Sequence, residues 1–165
     1  MNVENLNDEK YLKKVKGIGF RNDDKQVIIN ESEIIVPKKL LEVDLPGIAW
    51  DLLPPLKNYR TAGWHSWSND SEKQPFAALY TSLGCPYTCS FCMINIINRT
   101  DSSENISSQD SNIFRWWNPE FIIKQFDYFA EQGIKNIKIA DELFVLNPNH
   151  FIKICDMIIE RKYNF

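Results

Sequence analysis

Several features are missing from this sequence, and each absence removes a class of function. No apolar run approaches the roughly 20 residues that a membrane-spanning helix requires. There is no surplus of positive charge: 19 Lys and Arg stand against 22 Asp and Glu, for a net charge of -3. That balance argues against a nucleic-acid surface built on general basicity. The opening stretch, MNVENLNDEKYLKK, lacks the apolar core of a signal peptide. A cytoplasmic chain with reduced thiols is therefore expected. In that setting the Asn-x-Ser sequences at Asn69 and Asn105 carry no meaning as glycosylation sites.

What is present suits a soluble α/β domain. The chain has 165 residues, 44% of them hydrophobic, enough for one real core. Residues 1–44 read as a small β element. Val15–Phe20 and Gln26–Ile29 flank Asn22-Asp23-Asp24-Lys25, whose composition is that of a hairpin turn. Glu33–Val36 offers a short third strand. Residues 45–75 read as an irregular linker, because Pro46, Pro54, Pro55 and Pro75 break regular elements. It holds GWHSW, in which His65 sits between Trp64 and Trp67 as space-filling aromatic packing.

From residue 76 the pattern becomes strand, loop, helix, strand, loop, helix. Phe76–Thr81 is a continuous apolar and β-prone run, read as a strand buried on both faces. Residues 99–112 are Ser-rich and polar, which predicts a mobile loop. Asn118-Pro119-Glu120 starts a helix with an N-cap, a first-turn proline and an acid, and Gly133 ends it. Its apolar face is Ile122, Phe126, Phe129 and Ala130. Ile134–Ala140 is the second strand and Asn147-Pro148 opens the second helix. That helix carries the stripe Phe151, Ile154, Cys155, Ile158 and Ile159, which makes Cys155 a core residue and leaves His150 on the surface. The rhythm is that of a parallel sheet. Two such units finish neither a barrel nor a doubly wound sheet, so a piece of a longer protein is expected.

The chemistry concentrates at residues 85–92, CPYTCSFC, which hold three of the four cysteines. A disulfide framework fails on compartment and on the odd number. A closed zinc site lacks a fourth ligand at suitable spacing after Cys92. A cubane cluster held by Cys85, Cys89 and Cys92 would leave one iron for a non-protein ligand.

This Cys-x3-Cys-x2-Cys directly after a strand resembles the radical S-adenosylmethionine (SAM) enzymes. YTSLGCPYTCSFC, together with the downstream FRWWNPEFIIKQFDYFAEQGIKNIKIADELFVLNPNHFIKICDMIIER, is similar to the branch that carries N-terminal cobalamin-binding domains. VKGIGF, LPGIAWDLLP and NYRTAGWHSW resemble that branch's linker. The resemblance implies the start of a partial (βα) barrel over residues 76–165, with a [4Fe-4S] cluster on the three cysteines. It implies cleavage of SAM to a 5′-deoxyadenosyl radical, in a methyl transfer or rearrangement of a small-molecule or biosynthetic-intermediate substrate. An electron donor such as flavodoxin or ferredoxin would be the partner. By the same resemblance Phe91 would lie near the adenine and Arg115 would steady an anion. Asp141 or Glu142 would accept from the SAM ammonium. Strand alternation puts Glu142 with Lys138 and Ala140 on the cavity face, and Ile137, Ile139 and Asp141 on the helix face, which favours Glu142. No Asp-x-His-x-x-Gly cobalamin motif occurs, so cobalamin would need a domain absent from this chain. The rival readings are a non-catalytic iron–sulfur fragment and a methylthiotransferase-like RNA-modifying enzyme.

Overall fold

A computed structural model describes residues 8–33, 35–60, 75–97 and 114–165, apart from the side chains of Asn95 and Ile96. The chain divides into two compact units, Met1–Ile35 with Thr88–Asn112, and Val36–Tyr87 with Ile113–Phe165.

The first unit contains the short helix α1 (Glu9–Leu12) and the antiparallel hairpin of β1 (Gly19–Arg21) and β2 (Val27–Ile29). Asp8 caps α1 by accepting from the Lys10 N–H at 2.9 Å. The hairpin turn forms where its composition predicts. Asn22 Oδ1 accepts from the Gln26 N–H at 2.8 Å, and Lys25 takes the left-handed conformation at φ 62°. An asparagine side chain that bonds its own turn stands in for a missing backbone partner. Asn30 then ties the hairpin to the preceding segment, its amide donating to the carbonyls of Leu12 and Val15 at 2.6 Å each. The third strand expected at Glu33–Val36 is not there among its described residues. A short helix, α3 (Ile94–Ile97), follows the cysteine loop.

The second unit contains the core. β3 (Phe76–Leu79) pairs in parallel with β6 (Asn136–Ile139), Phe76 opposite Asn136 and Leu79 opposite Ile139. Helix α4 (Pro119–Glu131) lies between them in sequence, and α5 (Pro148–Arg161) follows β6. Both helices start at the predicted asparagines with proline in the first turn, where its missing N–H costs nothing. Asn118 does not cap with its side chain; its amide donates instead to Glu42 on α2 (Leu41–Asp44). Leu41, Leu79, Ile122, Phe126, Phe129, Ile134 and Ile154 form the core cluster.

Three expectations about packing need correction. β3 is buried mainly on one face, with Ala77 and Leu79 inside and Phe76 and Ala78 half-buried. On α4, Ile123 is buried while Ala130 is exposed. On α5 the buried line is His150 and Ile154, with Cys155 and Ile159 on the outside. The α5 stripe was wide enough to face inward at either edge. Contact with α4 and with Trp117 selects the His150 edge.

The expected beginning of a radical SAM barrel is also overturned. Among the described residues the parallel sheet has only two strands. After Tyr80 the chain turns, and β4 (Ser82–Leu83) pairs antiparallel with β5 (Arg115–Trp116). The described residues form small α/β structure with short parallel and antiparallel strand pairs, and no barrel is formed among them. The linker expected over 45–75 is irregular where described, with 3-10 turns at Trp50–Leu52 and Leu56–Asn58. Trp64, His65 and Trp67, and the loop expected at 99–112, lie outside the described residues.

Candidate functional site

Parallel α/β sheets offer ligands the carboxyl ends of their strands, where loops diverge and helices begin. In this protein that end lies where β3 and β6 stop together. The ladder runs one step further, since the Ala140 N–H donates to the Leu79 carbonyl at 2.8 Å. Asp141 then reaches across. Its Oδ1 accepts the Thr81 backbone N–H at 2.6 Å, and its Oδ2 accepts the Thr81 hydroxyl at 2.6 Å and the Ser82 hydroxyl at 2.5 Å. Thr81 and Ser82 are 0% and 2% exposed. Buried donors require partners, and bonds to a carboxylate are stronger than neutral ones. Asp141 therefore fastens the end of one strand to the loop after the other.

Trp117 is a second junction. Its backbone N–H donates to the Thr81 carbonyl at 3.2 Å, and its indole N–H to the Leu45 carbonyl at 2.9 Å. Its own carbonyl accepts from His150 Nε2 at 2.9 Å, which assigns the ring proton to Nε2. His150 is 5% exposed, contrary to the surface position expected for it. Burial pushes its pKa below the ordinary histidine value, against smaller opposing effects of the Trp117 carbonyl and the Asp141 charge.

An apolar pocket of about 240 Å3 opens beside this end of the sheet, lined by Leu79, Tyr80, Leu83, Trp117, Phe121 and Gln125 among others. Its polar side-chain groups include the Gln125 amide, held by a hydrogen bond, and the Tyr80 hydroxyl. Trp50 Nε1 donates to Gln125 Oε1 at 3.1 Å. Gly47, at φ 95°, lies beside the same amide: an added Cβ would meet Oε1 at 3.4 Å and Nε2 at 3.5 Å. Neither Gln125 nor Gly47 stood out in the sequence; a glycine after a proline was the available signal.

The other expected site residues are placed as follows. Glu142 is exposed beside Asp141. Arg115 is 4% exposed, donates through Nη1 to the Val36 carbonyl, and has its pKa lowered by burial. Phe91 is 90% exposed. Cys85 belongs to the second unit, Cys89 and Cys92 to the first. Cys85 and Cys92 are half-buried and Cys89 is exposed. The Cys92 N–H donates to the Cys89 carbonyl at 3.0 Å, a tight turn. Thr81 and Ser82, which engage Asp141, were not singled out; a hydroxyl pair ending an apolar run is the sign that was there to read.

Among curated proteins the chain is similar to a protein of Pyrococcus horikoshii described as the uncharacterized methyltransferase PH0819. The two are 28% identical over 153 residues, covering 92% of this chain and 28% of that protein. The chain thus spans under a third of the length of the relative it matches. No family model matches the chain. No solved structure matches it either.

These findings overturn the radical SAM assignment and what followed from it. The relative is named a methyltransferase, and no radical SAM family model matches. Among the described residues no group of three His, Cys, Asp or Glu side chains is disposed to hold a metal ion. The expected [4Fe-4S] cluster and radical cleavage of SAM therefore have no support. The same holds for the iron–sulfur fragment and the methylthiotransferase-like alternative. The cysteine motif and a resemblance over most of the chain carried that reading, and spacing alone does not bring thiols within coordination distance. Among the described residues no helix is long and apolar enough to cross a membrane.

Proposed function

We propose that this chain is part of a methyltransferase that takes its methyl group from S-adenosylmethionine. The observation that carries the reading is the relative described as a methyltransferase, aligned over 92% of this chain. The carboxyl end of the β3–β6 pair is where the cofactor would bind. The donor set there fits: Glu142 is an exposed carboxylate at the strand end, suited to the ammonium of the cofactor's methionine part. Asp141, with three bonds to Thr81 and Ser82, would hold the two strand ends in register while Glu142 binds. Arg115, buried against Val36, would act by holding its loop. Bound there, the cofactor supplies an activated methyl group. The protein's task is to orient it toward an acceptor and exclude water.

The test is calorimetric titration of the chain with S-adenosylmethionine, alongside Glu142→Gln. Saturable binding weakened by the substitution supports the reading. Absence of binding by the chain and by a version extended to the relative's length would refute it.

A further inference from the structure

The pocket beside β3 has a composition that the cofactor does not explain. S-adenosylmethionine is charged at its sulfur, its ammonium and its carboxylate. No Asp, Glu, Lys or Arg lines this pocket. Its walls are aliphatic and aromatic, with Tyr80, Trp117 and Phe121 contributing rings. A space of about 240 Å3 equals the volume of roughly eight liquid waters at about 30 Å3 each. Eight waters facing such walls would find few partners, so an apolar occupant replaces them favourably.

The one amide in the lining is oriented before any ligand arrives. Trp50 donates to Gln125 Oε1, and that hydrogen bond sets the orientation of the amide. Fixing the oxygen leaves the amide nitrogen as the group available to a ligand, and that nitrogen can only donate. A preorganised donor among apolar walls selects a ring that carries a hydrogen-bond acceptor.

From these residues we infer that the pocket binds the methyl acceptor through an uncharged, planar, one- or two-ring portion bearing an acceptor atom. That the ring belongs to a methyl acceptor rests on the methyltransferase reading; the ring chemistry rests on the pocket alone. Its position at the carboxyl end of β3 sets such a ring beside Asp141's strand-end clamp, next to the proposed cofactor site.

Quinoline, a neutral two-ring acceptor, is the probe, compared with 1-methylquinolinium, which adds a charge and blocks the acceptor nitrogen. Ligand-observed NMR on the full chain should show quinoline binding about tenfold tighter than the cation, equivalent to about 1.4 kcal/mol. Gln125→Leu should narrow that gap. Leu83→Trp, which fills the pocket, should abolish quinoline binding. Equal binding of the two probes, a gap unchanged in Gln125→Leu, or no quinoline binding overturns the inference, whether or not Leu83→Trp folds. S-adenosylmethionine binding is titrated on the same samples. Quinoline binding with no S-adenosylmethionine binding by the chain or by the extended version sinks the methyltransferase reading and leaves the ring site standing. Competition between the two at the wild-type pocket overturns the inference, because the pocket would then belong to the cofactor.

Discussion

Asp141 grips Thr81 at two points, its Oδ1 on the backbone N–H and its Oδ2 on the hydroxyl, both at 2.6 Å. Sixty residues of chain separate the two. One carboxylate thereby ends two strands at once and decides where the following loops depart. Asp141→Ala would leave the Thr81 and Ser82 donors buried without an acceptor. A loss of about 3 kcal/mol follows, taking about 1 kcal/mol or more for each stranded group. Asp141→Asn keeps one oxygen for the Thr81 N–H and should cost less. Urea unfolding of both variants measures the difference, and equal losses would show the carboxylate is not the clamp.

His150 gives the second unit a pH-dependent stability. Burial lowers its pKa in the folded state, so the unfolded chain binds the proton more readily. Its contribution is fully present above the unfolded value of about 6.5 and is lost as pH falls through the folded value. Unfolding midpoints recorded from pH 7.5 down to 5 should decline. The decline should flatten in His150→Gln, whose amide still donates to the Trp117 carbonyl.

Phe129 is fully buried and meets the Trp50 ring edge-on, at 5.1 Å between centroids and 78°. Phe129→Ala removes that contact and leaves a cavity between α4 and the Trp50 turn. The expected cost is about 3–5 kcal/mol, enough to unfold a marginal domain. Circular dichroism melting gives the answer; a change below about 1 kcal/mol would mean the site collapses to fill the space.

All four cysteines are free, and Cys89 and Cys155 are the exposed ones. Under denaturing conditions four thiols should titrate, while in the folded protein these two should react first. Peptide mapping after brief alkylation identifies them. Iron and acid-labile sulfide in protein prepared without oxygen check for a cluster on Cys85, Cys89 and Cys92. Neither is expected, and stoichiometric iron would reinstate it.

Much of the second unit was legible in the residues. Asn-Pro at 118–119 and 147–148 marked both helix starts, because capping and a fixed proline φ act within one turn of chain. Asn22–Lys25 marked the hairpin for the same reason. The site was less legible. Cys85, Cys89 and Cys92 stand out by spacing, yet spacing is a one-dimensional property and coordination is not. Asp141 stood out as a ligand contact, whereas the fold spends its oxygens on Thr81 and Ser82. The pocket amide of Gln125 was invisible, since Trp50 and Gly47 lie over seventy residues before it.

Local chemistry alone thus dictated where the two long helices start and where the hairpin turns. Tertiary packing decided the rest: which edge of α5 turns inward, why His150 is buried and Cys155 is not, and how β4 leaves the parallel sheet to pair with β5. Those outcomes depend on contacts between residues distant in the chain. Their free energy comes from burial and hydrogen bonding that no stretch of sequence contains by itself.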